Sequence, residues 1–496
     1  MVFSSPLFLF LFLPLVLVAH LVAGRRLRNV VLLTGSLLFY AWGEPALVVV
    51  MLASIAINHA LVAWIDRARG TGSDRLAVGV SIAVNIGILA VFKYAGWLWD
   101  TTYFLLRAIG ASTQILGARP HIRLPIGISF FTFHALSAVI DVYRGTVRVR
   151  RSLVDFALYI SCFPQLIAGP IIRYHDVADQ LADRRVTRSG FAYGVQRFIV
   201  GLGKKVLIAN VVAVPADRIF ALPAADLGAR TAWLGIVCYT LQIYFDFSGY
   251  SDMAIGLGRM LGFTYLENFL HPYVARSVTE FWRRWHVSLS SWFRDYLYVP
   301  LGGNRRGNGR TYFNLVLVFF LCGLWHGASW NFVIWGLWHG SFLVIERVLF
   351  YRRDRKDRGD QKPSAVSADS AVPSGPLTWP IWPHVYTLTV VMIGWVFFRA
   401  ETLPGAIAFF RAMAGLTDAA PTVYTVAWYL TPELWLALLA GAIGSAPWVP
   451  ALAARIDDGR SWSVPLLNTA ALMTLLVLSI MSMAARTYNP FIYFRF

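Results

Sequence analysis

Two histidines stand inside apolar sequence, each as the middle residue of a Trp-His-Gly triplet. The segment 324–340 reads LWHGASWNFVIWGLWHG and contains His326 and His339. An ionisable side chain at membrane depth is costly and is usually retained for a function. Because free imidazole titrates near physiological pH, it suits a general base. His326 is therefore predicted to transfer a proton. The alternative is a buried histidine that only bonds a neighbouring carbonyl.

The spacing of the triplets bears on whether both histidines could serve one site. His339 follows His326 by 13 residues, so on one unbroken helix their side chains would point about 220° apart. A break between Gly327 and Asn331 would remove that constraint, since glycine permits the backbone to leave a helix. The spacing alone leaves both arrangements open.

A second run with reactive side chains, FWRRWH, covers residues 281–286. His286 is predicted to orient the donor or the acceptor of a group transfer, and Arg283 and Arg284 could bind phosphates or a carboxylate. The other interpretation is an aromatic and basic belt at the membrane surface. Residues 279–308 hold too much charge to cross a bilayer and predict a re-entrant or interfacial helix.

Two carboxylates, Asp246 and Asp252, occur in the run YFDFSGYSD, inside or beside apolar sequence. Because a carboxylate at mid-bilayer costs about 3 kcal/mol, each should line a wet cavity or pair with a cation. One interpretation is a polar wall of a reaction chamber, and the other is an ion pair that ties helices together.

Cys322 is interpreted as an inert small hydrophobe. No spacing of metal-ligating residues indicates a metal site.

The composition predicts that these residues are carried by helices within a bilayer. Of the 496 residues, 57% are hydrophobic and 14% are charged, against about a quarter charged in soluble domains. Apolar runs of spanning length recur, for example at residues 7–23, 46–65, 76–99 and 466–483. We therefore predict an all-α polytopic membrane protein with roughly eleven to thirteen transmembrane helices. The continuous runs exclude a β-barrel.

The basic residues indicate orientation. The net charge is +18, and the excess lies in short loops at residues 25–28, 67–75, 144–151, 184–188, 305–310 and 352–358. This positive-inside pattern places those loops in the cytoplasm and argues against a nucleic-acid partner. The polar segment 351–378 predicts a flexible cytoplasmic loop between a body at residues 1–350 and transmembrane helices at residues 379–496.

At its motif residues the chain resembles the membrane-bound O-acyltransferase (MBOAT) family. The matching stretches include LPIGISF at 124–130, IDVYRG at 140–145, LIAGP at 166–170 and YFDFSGYSDMAIGLG at 244–258. They continue with TEFWRRWHVSLS at 279–290, DYLYVPLGGNR at 295–305, GLWHG at 323–327 and GWVFFRAE at 394–401. Within the family, the chain resembles bacterial members that acetylate alginate. Relatives that act on peptidoglycan, cellulose or teichoic acid share this core.

The resemblance implies a ring of helices with re-entrant segments around a central funnel. It implies that His326 is the family histidine required for transfer and that His286 occupies the second motif position. The importance of His339 is reduced accordingly. The candidates for substrate-channel or donor-binding roles are Trp325, Arg283, Arg284, Trp285, Asp246, Asp252 and Asn304.

The predicted reaction is acetyl transfer across the bacterial inner membrane. Acetyl-CoA is the expected donor, neither a bound cofactor nor a metal is expected, and His326 deprotonates a hydroxyl that arrives from the periplasmic side. The resemblance implies periplasmic acetyltransferase partner proteins and an exported polysaccharide acceptor. Two other function classes stay open: a transporter or polymer-export channel without chemistry of its own, and a scaffold for a polysaccharide machine.

Overall fold

The computed structural model describes residues 1–148, 152–357, 381–417, 424–449, 451–452 and 463–485, and these ranges contain helices but no β-strand. The amino-terminal helices are α1 (Phe8–Val22), α2 (Arg28–Gly43), α3 (Val48–Ala68), α4 (Asp74–Ala108), α5 (Ile128–Arg144), α6 (Leu153–Ser161) and α7 (Tyr174–Ala182). They are followed by α8 (Arg188–Phe220), α9 (Ala229–Met260), α10 (Val278–Arg284), α11 (Val287–Phe293), α12 (Gly307–His326) and α13 (Trp330–Asp357). The last are α14 (Trp382–Arg399), α15 (Leu403–Met413), α16 (Pro432–Gly444) and α17 (Ser463–Ala485).

The all-α membrane fold predicted from the sequence is confirmed. Five helices of the described residues are long and apolar enough to cross a membrane, and they are α3, α4, α8, the part of α13 up to Leu349, and α17. Shorter apolar helices are α1, α15 and α16. The predicted number of transmembrane segments therefore includes helices that are shorter or more polar than these five.

The polar segment predicted as a cytoplasmic loop begins inside a helix. Helix α13 continues to Asp357, past the predicted start of the loop at Tyr351. Residues 358–378 of this segment lie outside the described residues. The division into a body, a loop and carboxy-terminal helices stays a prediction.

Helices α8 and α9 pack through glycines at the centre of the protein. A Cβ atom on Gly201 would lie 2.6 Å from the carbonyl oxygen of Gly249, and a Cβ on Gly194 would lie 2.6 Å from that of Gly256. Small residues at a helix interface let the backbones approach closely, which favours association where lipid supplies no hydrophobic driving force. The glycine pairs therefore set the separation of the two helices.

Helices α12 and α13 also pack closely through glycines. A Cβ on Gly323 would overlap the carbonyl oxygen of Phe332, and a Cβ on Gly336 would overlap that of Phe319. Each of these glycines belongs to one of the two Gly-Leu-Trp-His-Gly stretches. The repeated glycines therefore serve helix packing, while the histidines that follow them are placed by the resulting hairpin.

Substitution Gly201→Ala is expected to lower the free energy of unfolding in mixed micelles by about 1–3 kcal/mol, because the added methyl group overpacks the α8–α9 contact. The matched control is Gly79→Ala on α4, where an added Cβ meets nothing within 4 Å. The control should be neutral or slightly stabilising, since alanine favours the helix over glycine. Equal effects of the two substitutions would contradict the role given to the glycine contact.

Candidate functional site

His326 lies at the tip of a helical hairpin. It is the last residue of α12, the chain leaves the helix at Gly327, and α13 begins at Trp330. The structure thus contains the break that the sequence left open. The 20 residues of α12 rise by 1.5 Å each, so His326 lies about 30 Å along the helix axis from the basic loop before Gly307.

The backbone at the hairpin tip has no room for larger residues. Gly327 is extended, and a Cβ on it would overlap the ring of Phe332. On the other side of the break, the Asn331 amide donates to the carbonyl oxygen of Ala400 at 2.7 Å. The tip is therefore held between its own hairpin and the end of α14.

The last carbonyl groups of α12 are bound by two adjacent residues of α4. Lys93 Nζ donates to the carbonyl oxygens of Trp325 and His326, the latter at 3.3 Å, and it also lies 3.3 Å from Ser129 Oγ. The Tyr94 hydroxyl donates to the carbonyl oxygen of Leu324 at 2.6 Å. A cation at a helix carboxyl end also interacts favourably with the helix dipole.

A π-helical turn brings Lys93 and Tyr94 to that position. It spans Ala90–Tyr94 inside α4, and such turns insert one residue into a helix and are frequent at functional sites. Lys93 is the one charged residue in the apolar run 76–99. That isolated charge is the signal by which the sequence could have revealed Lys93, while Tyr94 carries no comparable signal.

Aromatic rings fix the orientation of the residues next to His326. The Trp325 indole stacks on Phe133 at a centroid distance of 5.1 Å, and Phe133 stacks on Trp292 at 4.0 Å. The Trp292 indole N–H donates to Ser137 Oγ at 2.9 Å. The His326 ring itself meets Trp335 edge to face at 4.9 Å. His326 is only 5% exposed.

A cavity leads to the imidazole. Its volume is about 140 Å³, and besides His326 its walls include Lys93, Ser129, Trp325 and Ile167. A second cavity of about 520 Å³ shares Lys93 and Leu124 with the first. Its other walls carry charged side chains, among them Asp100, Arg119 and Arg123. The two cavities thus adjoin, with a polar outer chamber and a mostly apolar inner one.

The second predicted histidine lies where α10 meets α11. His286 is buried and adopts a left-handed backbone with φ of 45°, a conformation that costs a non-glycine residue of order 1–3 kcal/mol. Helix α10 is anchored at its amino end by the buried Glu346 carboxylate of α13, which accepts the backbone N–H groups of Val278 and Thr279 at 2.6 and 2.9 Å. The strained turn is therefore tied to the hairpin that carries His326.

The structure brings His326, His286 and Trp325 together. The Trp325 ring centroid lies 4.8 Å from that of His326 and 6.4 Å from that of His286. Trp285 is buried next to His286 and packs at 4.9 Å on Trp395. The two histidine rings therefore both lie near one indole, although 40 residues separate them in sequence.

The two arginines of the FWRRWH run differ in their surroundings. Arg284 forms an ion pair with Glu280 at 2.8 Å and donates to the carbonyl oxygen of Leu270 at 3.0 Å. Arg283 is exposed. Of the two guanidinium groups, that of Arg283 is thus the one that a substrate could reach.

Asp246 and Asp252 form ion pairs between α8 and α9. Asp246 lies 2.7 Å from Lys205 Nζ, and both side chains are at most 4% exposed. Asp252 lies 2.7 Å from both Lys204 and Arg197. These contacts correspond to the interpretation in which the carboxylates tie helices together.

Asn304 lies in the loop before α12, where its side-chain oxygen accepts a hydrogen bond from the Tyr298 hydroxyl. It is therefore at the opposite end of α12 from His326, and the structure does not bring it to the histidine pair.

His339 lies within α13, one turn after Trp335, in a cage of aromatic rings. Its ring centroid is 5.1 Å from Trp282 and 5.3 Å from Trp335. A Cβ on Gly394 would lie 2.6 Å from His339 Nε2. Among the described residues neither ring nitrogen has a hydrogen-bond partner. His339 therefore packs against Trp335, whose ring also contacts that of His326.

A polar cluster ties α5 to α7 and to the turn after α11. Asp141 accepts from His175 Nδ1 at 2.9 Å and from the Tyr296 hydroxyl at 2.7 Å, while Arg173 pairs with Asp295 at 2.7 Å. The hydrogen bond to Asp141 raises the pKa of His175 above its ordinary value. The cluster thus contains a histidine that folding helps to protonate.

Substitution Tyr94→Phe is expected to lower the free energy of unfolding by about 1–3 kcal/mol, because it leaves the partly buried Leu324 carbonyl without that donor. The control is Tyr103→Phe on the same helix, where the ring stacks on Trp99. Unfolding in mixed micelles measures both variants. If Tyr103→Phe lowered the free energy of unfolding as much as Tyr94→Phe does, the Tyr94 hydroxyl would have no specific stabilising role.

Substitution His175→Gln is expected to destabilise the protein at pH 5.5 more than at pH 9. Because the folded-state pKa is raised, the contribution is fully present below the unfolded pKa of about 6.5 and is lost as the pH rises through the folded value. Thermal unfolding of the variant and the parent at both pH values measures the difference. A difference that is constant, or larger at pH 9, would contradict the assignment.

Comparison with known proteins shows the family to which the chain belongs. Residues 124–357, which include both histidines, match the membrane-bound O-acyltransferase family. The chain is 41% identical to the probable alginate O-acetylase AlgI of Pseudomonas putida and 40% identical to that of Azotobacter vinelandii, in both cases over the full length of each chain. It is 34% identical to the peptidoglycan O-acetyltransferase of Helicobacter pylori, over 84% of this chain and 80% of that one.

Identity of this extent over whole chains is decisive for family membership. It agrees with the resemblance found at the motif residues and with a helical membrane fold. The protein is therefore a membrane acyltransferase that belongs to the membrane-bound O-acyltransferase family.

Proposed function

We propose that the protein transfers an acetyl group from cytoplasmic acetyl-CoA to a hydroxyl on the other side of the bacterial inner membrane, for O-acetylation of an exported polysaccharide. The observation that carries the proposal is the position of His326. This buried imidazole lies at the tip of a helical hairpin and lines a cavity that adjoins a larger, polar one. A general base needs such access to a hydroxyl, whereas a purely structural histidine does not.

The side of the membrane that the outer cavity faces is inferred from the topology of the first helices. Helix α4 starts beside the basic loop at residues 67–75, which the positive-inside rule places in the cytoplasm. Its far end joins α5 through residues 109–127, and these residues supply Arg119 and Arg123 to the outer cavity. The outer cavity therefore faces the periplasm, and the acceptor hydroxyl arrives through it.

The chemical step is a direct acyl transfer. His326 removes the proton from the acceptor hydroxyl, and the oxygen attacks the thioester carbonyl carbon. The carbon–sulfur bond then breaks, and the sulfur leaves as the thiol of CoA after it takes up the proton from His326. The narrow inner cavity adds to the rate by holding the two reacting groups together. No bound metal is required, and we propose none.

The donor arrives from the cytoplasmic side. Arg305 and Arg306 directly precede α12, and Arg310 lies in its first turn. Arg283 is exposed on α10, which Glu346 ties to the cytoplasmic half of α13. Guanidinium groups bind phosphates well, and CoA carries several. Arg283 is thus the candidate for a donor contact, and the charge of Arg284 is already matched by Glu280.

The polysaccharide is proposed from the relatives. The full-length relatives are named as alginate O-acetylases, so alginate is the first candidate, and peptidoglycan is the second because of the Helicobacter pylori relative. Periplasmic acetyltransferase partners would receive the acetyl group and pass it to the polymer. An export channel without chemistry would use the same cavities, and a scaffold would need neither histidine.

Substitution His326→Ala is expected to remove ester-linked acetate from the exported polymer while the polymer yield stays the same. Loss of a general base lowers a rate by about a hundred- to ten-thousand-fold. Acetate is measured on both alginate and peptidoglycan, with equal membrane levels of the proteins confirmed. The control is His339→Gln, the corresponding residue of the second triplet, which should retain most of the acetate.

Each departure from this pattern decides against a specific part of the proposal. Normal acetate in His326→Ala would remove His326 from the chemistry. A lower polymer yield with normal acetylation would favour the export channel. Acetate that disappears only when the whole protein is deleted would favour the scaffold.

A further inference from the structure

The His286 imidazole is held by a side chain that no motif singled out. Its Nδ1 atom lies 3.1 Å from Asn268 Oδ1, and its ring packs edge to face on Phe247 at 4.6 Å. Both His286 and Asn268 are buried, with at most 1% of either residue exposed. A buried polar contact of this kind allows few arrangements of hydrogen atoms.

The orientation of the Asn268 amide is fixed by a neighbouring backbone group. The Ser288 N–H points at the same Asn268 atom at 3.1 Å. A backbone N–H can only donate, so this atom is the carbonyl oxygen and not the NH₂ group. The Ser288 hydroxyl, which accepts the Ile171 N–H, donates to the same atom at 2.9 Å, because that oxygen is nearer than His286 Nδ1 at 3.4 Å. If the amide were reversed, its NH₂ group would face the Ser288 N–H, and two donors would oppose each other.

The amide oxygen in turn fixes the proton on His286. An oxygen without a hydrogen cannot donate, so the hydrogen bond exists only if Nδ1 carries the proton. The neutral ring then has a lone pair at Nε2. Among the described residues Nε2 is buried and has no hydrogen-bond partner. A buried acceptor without a partner is rare in proteins and calls for an explanation.

We propose that Asn268 is a positioning residue that holds His286 as the Nδ1–H tautomer, so that Nε2 accepts a hydrogen bond from the acyl donor. The proposal rests on the proposed function. In that reaction the hydroxyl proton goes to His326, so the partner of Nε2 is a second N–H group, and the amide N–H groups next to the thioester in the CoA arm are of that class. The orienting partner of a catalytic histidine acts in the same way when it selects one tautomer.

The test measures the tautomer and the transfer reaction separately on the full-length protein in lipid nanodiscs. Nitrogen-15 NMR distinguishes protonated from unprotonated imidazole nitrogens, and the His286→Gln variant identifies the signals of His286. We expect the proton on Nδ1 in the parent protein. In Asn268→Leu we expect that preference to be lost and the kcat/KM for acetyl-CoA to fall by about tenfold or more.

The matched control is Asn268→Asp, which keeps an oxygen for both Ser288 N–H and His286 Nδ1–H. It should retain the tautomer and most of the transfer. Aspartate and leucine are both close to asparagine in shape, so a role in packing alone would leave the transfer by both variants near that of the parent. A proton on Nε2 of His286 in the parent protein would overturn the inference, whatever the activity. Unchanged transfer by a folded Asn268→Leu would overturn the positioning role. If the parent protein transferred no acetyl group, the proposed function would fail while the NMR result still decided the tautomer.

Discussion

The arrangement of the site depends on how the carbonyl groups at the end of α12 are satisfied. In hydrocarbon every backbone polar group needs a partner within the protein, so a helix can end at membrane depth only where other groups replace the missing hydrogen bonds. Here Lys93 and Tyr94 bind the carbonyls of Leu324, Trp325 and His326. The helix can therefore stop at His326, and the imidazole reaches a cavity instead of a continuous helix surface.

The two Trp-His-Gly triplets show that local sequence alone does not assign a role. After His326 the chain leaves the helix and turns, whereas after His339 the helix continues and the imidazole packs on Gly394. The difference arises from the carbonyl partners on α4 and from the room that neighbouring helices leave. The first histidine lines a cavity, and the second fills space between aromatic rings.

Much of the fold could be predicted from the sequence, because hydropathy and loop charge act locally. Most of the apolar run at 46–65 lies in α3, which begins at Val48, and the run at 76–99 lies in α4. The family resemblance identified His286 and His326 as the two motif histidines, but neither the resemblance nor their spacing predicted how close their rings lie to Trp325. Lys93 and Asn268 were not predicted, because Lys93 acts on a carbonyl 232 residues away and Asn268 acts on a ring 18 residues away, with α10 between them. Partners at such separations leave no periodic pattern.

The central claim is that a donor on one face and an acceptor on the other meet at His326. Inside-out membrane vesicles that enclose the polysaccharide and the periplasmic proteins, given labelled acetyl-CoA on the outside, test it directly. We expect alkali-labile label on the enclosed polymer with the parent protein, and none above background with His326→Gln at equal membrane levels. Equal labelling by the parent and by His326→Gln would contradict it.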